Sequence, residues 1–332
     1  MRLITPVTSA LRSYGAYIWL VIVLGSAVYF GMNQRAELGR IRDLALGAER
    51  GWIAALVVLE VLILSLIALT YRQLLAGLGH RIRIVPLMGV HLQRVVVGTV
   101  TPVGGPSSML VFIHNLRQRG VRPADALLTV SIKSVMSNIA FLTLLLPVLF
   151  VQRPNALLVA GTAGLVLLVA AMAGGLALAL RRSKPPAWLI RRVPRRGLRF
   201  MAQLRQHNLS YSSMVGPFGL MLATKLGGVL MLFFALRAVG HDTDLLVPLM
   251  AYVVGMVFLL VAPIFQGIGF VEVSMAVALQ RLGVPPAAAI GATLLCRVGE
   301  LWLPLAAGIV LHMLETLGRR FSHPTRPVPA AP

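Results

Sequence analysis

Charge is scarce in this chain, and negative charge is scarcest. Only 12% of its 332 residues are charged, and 10 Asp and Glu stand against 31 Lys and Arg. With so few acids, no pairing of a nucleophile with a base emerges. An enzyme is therefore not expected. Cysteine is nearly absent: Cys296 is the single one, inside an apolar segment, which excludes an internal disulfide and a zinc cluster. The seven histidines show neither HxxxH nor HExxH spacing, so a metal site has no support. No Gly-Lys-Ser/Thr ends a phosphate loop, and no cofactor is expected. The alternation of a β-barrel is missing as well.

What the chain has in quantity is hydrocarbon. Hydrophobic residues make up 58%, and the mean hydropathy is +0.84. Several apolar stretches reach the ~18–20 residues that cross ~30 Å of bilayer core. The composition predicts an all-α polytopic membrane protein of one domain, residues 1–318, with a disordered Pro-rich tail at 319–332. Full spans are expected at about 14–32, 52–70, 124–150, 156–180, 214–237 and 286–314. The first follows Arg2 and Arg12 and reads as a span rather than a cleaved signal, because its apolar run Ala16–Phe30 is long and lacks a small-x-small end.

Two apolar stretches, about 84–118 and 245–283, are broken midway by Pro and Gly and are too short on either side to cross alone. They belong to a repeat. Val85–Met88 and Val247–Met250 both read VPLM. Gly79-His80 matches Gly240-His241, Pro102 matches Pro263, Gly120-Val121 matches Gly283-Val284, and Pro123-Ala124 matches Pro286-Ala287. An ordered series at an offset of 161 to 163 is a duplication, with copies at about 52–150 and 214–314.

The net charge of +21 would suggest nucleic acid in a soluble protein. Here it reads as topology, and no nucleic-acid partner is expected. If both broken stretches are re-entrant helical hairpins, the N-terminus, 71–83, 117–123, 181–208 and the C-terminal tail lie on one face and carry 20 of the 31 basic residues. That face is cytoplasmic by the positive-inside rule, with both termini inside. Three full spans then separate the hairpins and invert the second copy, as in transporters whose broken helices meet at the midplane. The basic loop 181–208 fits either an interfacial helix with Leu198, Met201 and Leu204 on one face, or a solvated loop that sets topology.

Seven ionisable residues fall within membrane segments: Glu60, Arg94, Lys133, Lys225, Glu272, Arg297 and Glu300. Each costs about 2.5–3.5 kcal/mol at the centre of a lipid-facing helix, so their retention argues for a polar interior. Lys133 and Arg297 sit at nearly equivalent places in the two copies and are the candidates to neutralise a phosphate. Glu272 and Glu300 are candidates for an amine, a hydroxyl or a coupling proton. Arg94 and Lys225 fit a structural pair or snorkelling equally well. Ser131, Ser134, Ser137 and Asn138 form a polar stripe beside Lys133, and His114 and Asn115 suit the interface. At the breaks, Pro102, Gly104 and Gly105 in the first copy and Pro263, Gly267 and Gly269 in the second offer close backbone approach and free N–H groups at a half-helix start. Those groups suit an anion.

At these residues the sequence resembles a family. The Pro-Gly breaks, the Gly-Val-x-Pro-Ala corners, "QGIGFVE" at Gln266–Glu272 and "RVGELWLP" at Arg297–Pro304 are similar to the lysylphosphatidylglycerol synthase transmembrane region, the flippase-like family. The resemblance runs from about residue 15 to 315. It implies an integral protein of the bacterial inner membrane that handles lipids with large head groups. In synthases this region is joined to a cytoplasmic aminoacyl-transfer domain. That domain has no counterpart in these residues, so the synthase activity is not expected. The resemblance places Gly267, Gly269 and Glu272 on the second glycine motif, Arg297, Trp302 and Pro304 on the following span, and Pro102, Gly104 and Gly105 on the first break. The chain departs from the family at Pro106-Ser107-Ser108, where an acid often follows the glycines, and at Lys133, where an Arg flanked by acids is common. The expectation is a flippase-like transporter of an anionic or zwitterionic (glyco)lipid: a phospholipid, an aminoacylated lipid or a polyprenyl-phosphate lipid. The alternative is a scaffold that presents lipid to a partner synthase or glycosyltransferase.

Overall fold

The computed structural model describes residues 47, 49–101, 104–151, 156–180, 212–261 and 267–322. The expected first span, the basic loop 181–208, Pro102, Pro263 and residues 323–332 lie outside them. Every regular element among the described residues is helical. In chain order they are α1 (Arg50–Gly77), α2 (Ile84–Val100), α3 (Gly104–Arg117), α4 (Pro123–Val151), α5 (Ala156–Leu180), α6 (Ser212–Ala238), α7 (Leu246–Val261), α8 (Phe270–Arg281), α9 (Pro286–Arg297) and α10 (Leu303–Ser322). A single turn of π-helix, Val298–Trp302, joins α9 to α10. Among the described residues, four stretches are long and apolar enough to cross a bilayer: Arg50–Gly77, Pro123–Val148, Met214–Ala238 and Pro286–Leu314. The last helix runs on to Ser322, four residues into the expected tail.

The repeated sequence motifs are corners. α1, α3, α6 and α8 each stop at a glycine in the left-handed region: Gly79 (φ 87°), Gly120 (φ 81°), Gly240 (φ 76°) and Gly283 (φ 91°). The next amide closes the turn backwards, with His80 donating to Leu75, Val121 to Leu116, His241 to Leu236 and Val284 to Leu279, at 2.9–3.1 Å. This is the Schellman end, which only glycine makes without a Cβ penalty. Pro123 and Pro286 then open α4 and α9 at a first-turn position where a missing N–H costs nothing. Gly-Val-x-Pro is therefore a stop followed by a start, written once per copy. One helix, a broken pair and a second helix thus recur at the offset read from the sequence.

Within the first pair, contacts run in opposite directions along the two helices. Gly98 meets Gly104, the Arg94 Nε donates to Ser108 Oγ at 3.4 Å, and the Asn115 Nδ2 donates to Gln93 Oε1 at 2.6 Å. α2 and α3 are an antiparallel hairpin. A Cβ on Gly104 would collide with the Gly98 carbonyl, so glycine is what allows the backbones to close there. In the second pair, Gly255 of α7 lies against Val271 and Met275 of α8.

The matching helices α1 and α6 pack along their length. Trp52 stacks obliquely on Phe234 with centroids 5.4 Å apart, Gly227 lies against Ile63, and Gly216 against Gln73. As one helix rises the other descends, so α1 and α6 are antiparallel. The largest buried cluster joins α1, α4, α6, α7, α8 and α9 around Leu232, Met256 and Met275. A second closes the first hairpin around Tyr71, Leu87 and Phe112. α10 lies against α2, with Gly308 beside Val96 and Leu92 and Gly89 beside Leu311.

Candidate functional site

The two helix–hairpin–helix units meet around a cavity of ≈ 200 Å³. α1 contributes Glu60, α2 His91, α4 Lys133 and Ser137, α6 Thr224 and Lys225, α7 Tyr252, α9 Arg297, and the π-turn Glu300. Five of the seven ionisable membrane residues therefore converge on one space. Apolar side chains such as Ile63, Ile67, Met256 and Leu259 complete the wall. The π-turn places one extra residue in a helical turn just where Glu300 enters the wall, a usual position for such irregularities. Gly299 within it lies against Met231 of α6.

The cations are held in different ways. Arg297 is 5% exposed and donates from Nε to Glu272 Oε1 at 2.7 Å. The other Glu272 oxygen accepts from the backbone N–H of Gly269 at 2.6 Å. Gly269 itself takes φ +89° at the start of α8. One carboxylate thus caps α8 and neutralises α9, and that ties the second hairpin to the following span. Lys133 is held by a ring instead: its ammonium lies 5.9 Å from the Tyr71 centroid, within cation–π range. The Tyr71 hydroxyl accepts from Arg94 Nη1 at 2.6 Å. Arg94 also reaches Ser108, whose hydroxyl donates to the Gly105 carbonyl at 2.8 Å. Arg94 therefore ties the first hairpin to α1.

Among the described residues, Glu60, Lys133, Lys225 and Glu300 form no direct ion pair. They interact across the cavity instead: Lys225 feels Glu300 and Lys133, and Glu60 feels Glu300. Tyr252 turns its hydroxyl to Glu300 as a hydrogen-bonding partner, and Gly228 gives it room. Beside them, His91 is 9% exposed and its Nδ1 has no hydrogen-bond partner among the described residues. Leaving such an atom unsatisfied costs about 1–3 kcal/mol. Two ammonium groups, a guanidinium, two carboxylates, a phenol and an imidazole can together hold an anion and a hydrogen-bonding group side by side.

Of the residues picked from the sequence, Lys133, Arg297 and Glu300 line the cavity. Glu272 stands behind Arg297 and does not. Gly267 (φ 69°) and Gly269 shape the entry to α8, and Gly104 sits in the closed hairpin. Gly105 has open space where a Cβ would be. Pro102 and Pro263 are outside the described residues. Ser137 of the polar stripe reaches the cavity, whereas the Asn138 Nδ2 lies 3.5 Å from Met172 Sδ. Asn115 is buried, with its Nδ2 on Gln93 Oε1. Glu60, Lys225, His91 and Tyr252 were not picked. Glu60 carried the same signal as Glu300, an acid inside a span. His91 carried a weaker one, a histidine in an apolar half-helix, and Tyr252 carried none.

The family model described as "Lysylphosphatidylglycerol synthase TM region" matches residues 10–308. The match takes in every cavity residue. No curated protein sequence matches the chain.

Proposed function

Since this chain belongs to the lysylphosphatidylglycerol synthase TM region family, we propose that it is a flippase-like transporter. The head group of an anionic or zwitterionic (glyco)lipid enters the cavity and crosses the inner membrane through it. The convergence of Glu60, Lys133, Lys225, Arg297 and Glu300 on one cavity carries this reading. Each would cost about 2.5–3.5 kcal/mol against lipid, and pairing among themselves lowers that cost only where partners touch. Among the described residues four of them form no direct ion pair, which suits groups kept for a ligand.

In this reading Lys133 and Lys225 attract the phosphate, with His91 Nδ1 as a further hydrogen-bonding atom. Glu300, oriented by Tyr252, and Glu60 take an amine or hydroxyl, or a coupling proton. Glu272 positions Arg297. The two hairpins are re-entrant, entering from opposite faces as an inverted repeat, and they open in alternation. The antiparallel packing of α1 and α6, first helices of the two copies, supports the inversion. Both termini lie in the cytoplasm by the distribution of basic residues. The protein works without a cofactor and catalyses no covalent step. The other reading, a scaffold that presents lipid to a synthase or glycosyltransferase, draws on the cavity's size. At ≈ 200 Å³ it falls below the ~300–1,000 Å³ usual for ligand pockets.

The test is transbilayer movement of head-group-labelled lipids in vesicles holding the purified protein. The intact chain should expose inner-leaflet label, and K133A should slow this by roughly tenfold, the value of one charge-assisted hydrogen bond. If no anionic, aminoacylated or polyprenyl-phosphate lipid moves, the scaffold reading takes its place.

A further inference from the structure

A second concavity, ≈ 670 Å³, lies between α7 and α8. Met250 and Phe258 line one wall, and Phe270, Val273, Val277 and Arg281 lie along the other. Phe270 is 60% exposed, Val273 64% and Val277 43%. These three share one face of α8 at helical spacing, so the strip is straight and narrow. Among the described residues, apart from Arg281 and Ser274, every lining side chain is apolar or absent.

The length of this strip is informative. α8 has 12 residues, about 18 Å at ~1.5 Å per residue. One leaflet of hydrocarbon is about 15 Å, half of ~30 Å. Arg281 stands at one end of the groove and Gly269 at the other. The Gly269 amide is held by Glu272, and Glu272 by Arg297, which lines the polar cavity. The groove thus starts at a cation, has a length that matches one leaflet, and ends one ion pair away from the charged cavity.

We propose that this groove binds one anionic phospholipid, with an acyl chain along α8 and the phosphate on Arg281. The inference rests on the lipid-handling reading above and extends it: the groove is where a lipid waits beside the cavity. Charge complementarity and length choose this occupant. A second protein helix would bury the apolar strip equally well, but would use the cation at its mouth only if it brought an acid or its carbonyl end there, whereas every anionic lipid brings a phosphate.

Fluorophore labelling tests it. Cys296 is buried, so the thiol introduced by V273C is the one that labels. The labelled protein is placed in phosphatidylcholine vesicles, and quenching by dibrominated phosphatidylglycerol is compared with quenching by dibrominated phosphatidylcholine. Phosphatidylglycerol should reach half-maximal quenching at a roughly fivefold lower mole fraction, the enrichment one arginine gives near an anionic head group. R281A should abolish the preference and R281K should keep it. V58C, on an exposed position of α1, should show none. Equal quenching by both lipids at V273C means ordinary bilayer contact and overturns the proposal. So does quenching by neither, which means that protein fills the groove, whether residues 1–48 or a second copy. The readout needs no transport. A preference at V273C without transbilayer movement keeps the groove and removes the flippase, and transport without a preference does the reverse.

Discussion

Glu272 offers the sharpest test of the packing, because one carboxylate does two jobs. Replacing it with Ala removes the partner of Arg297, which is 5% exposed, and the cap on the Gly269 amide. Leaving a buried charge without its partner costs about 3–5 kcal/mol. The Glu272 side chain is 17% exposed, so the low end, about 3 kcal/mol, applies to the pair. The lost cap adds about 1 kcal/mol. E272Q keeps an oxygen for Gly269 and loses the charge, so it should fall about 1 kcal/mol short of E272A. Removing both charges as E272M/R297M should cost less than R297M alone, because a buried pair replaced by apolar groups is often near neutral.

The chain supplies its own reporter. Cys296 is the single cysteine, adjoins Arg297 and is fully buried. Its reaction with a fluorogenic maleimide during heating in detergent follows unfolding at this site. Additive losses in E272M, R297M and the double variant would refute the reasoning, since residues in contact must show coupling. A loss below about 1 kcal/mol in E272A would refute it too, for it would mean that Arg297 does not depend on this carboxylate.

The same melt tests two glycines. In G228A the new methyl would overlap the Tyr252 hydroxyl, so the ring must leave Glu300; the expected loss is about 1–3 kcal/mol, partly restored by adding Y252F, and a melt unchanged by G228A would show that Tyr252 does not pack there. G104A and G105A differ by one position: the first meets the Gly98 carbonyl and should destabilise by about 1–3 kcal/mol, while the second meets open space and should lie within about 0.5 kcal/mol of the parent, so equal effects would refute the hairpin geometry.

Hydropathy and corner chemistry made the frame legible. A span of ~20 apolar residues has few alternatives in lipid, and Gly-Val-x-Pro can only end one helix and begin another. α4, α5 and α6 therefore fall within two residues of the expected limits. The cavity was harder to read. Periodicity tells which residues share a face of one helix, but not which face of another helix they meet. Lys225 looked as much like a snorkelling residue as a ligand, and only the antiparallel packing of α1 on α6 brings it into the wall with Glu60. Glu272 shows the opposite case. An acid after glycines suggests a ligand contact, yet its position at N3 of α8 sends the side chain back to the helix's own first amide.

The duplication copied the scaffold and left the chemistry unequal. Both hairpins begin after a Schellman corner and end at another, yet they are fastened by opposite charges. A cation, Arg94, holds the first through Tyr71 and Ser108. An anion, Glu272, holds the second through Arg297 and Gly269. In the transport reading, an anion arriving in the cavity would compete with Glu272 for Arg297 and so loosen the second hairpin. At the first hairpin Arg94 is bonded to the neutral hydroxyls of Tyr71 and Ser108, so among the described residues no carboxylate stands as such a rival there. In that reading, the head group's phosphate therefore opens one gate while it leaves the other fastened, and alternation follows from the unequal fastening of two copies of one fold.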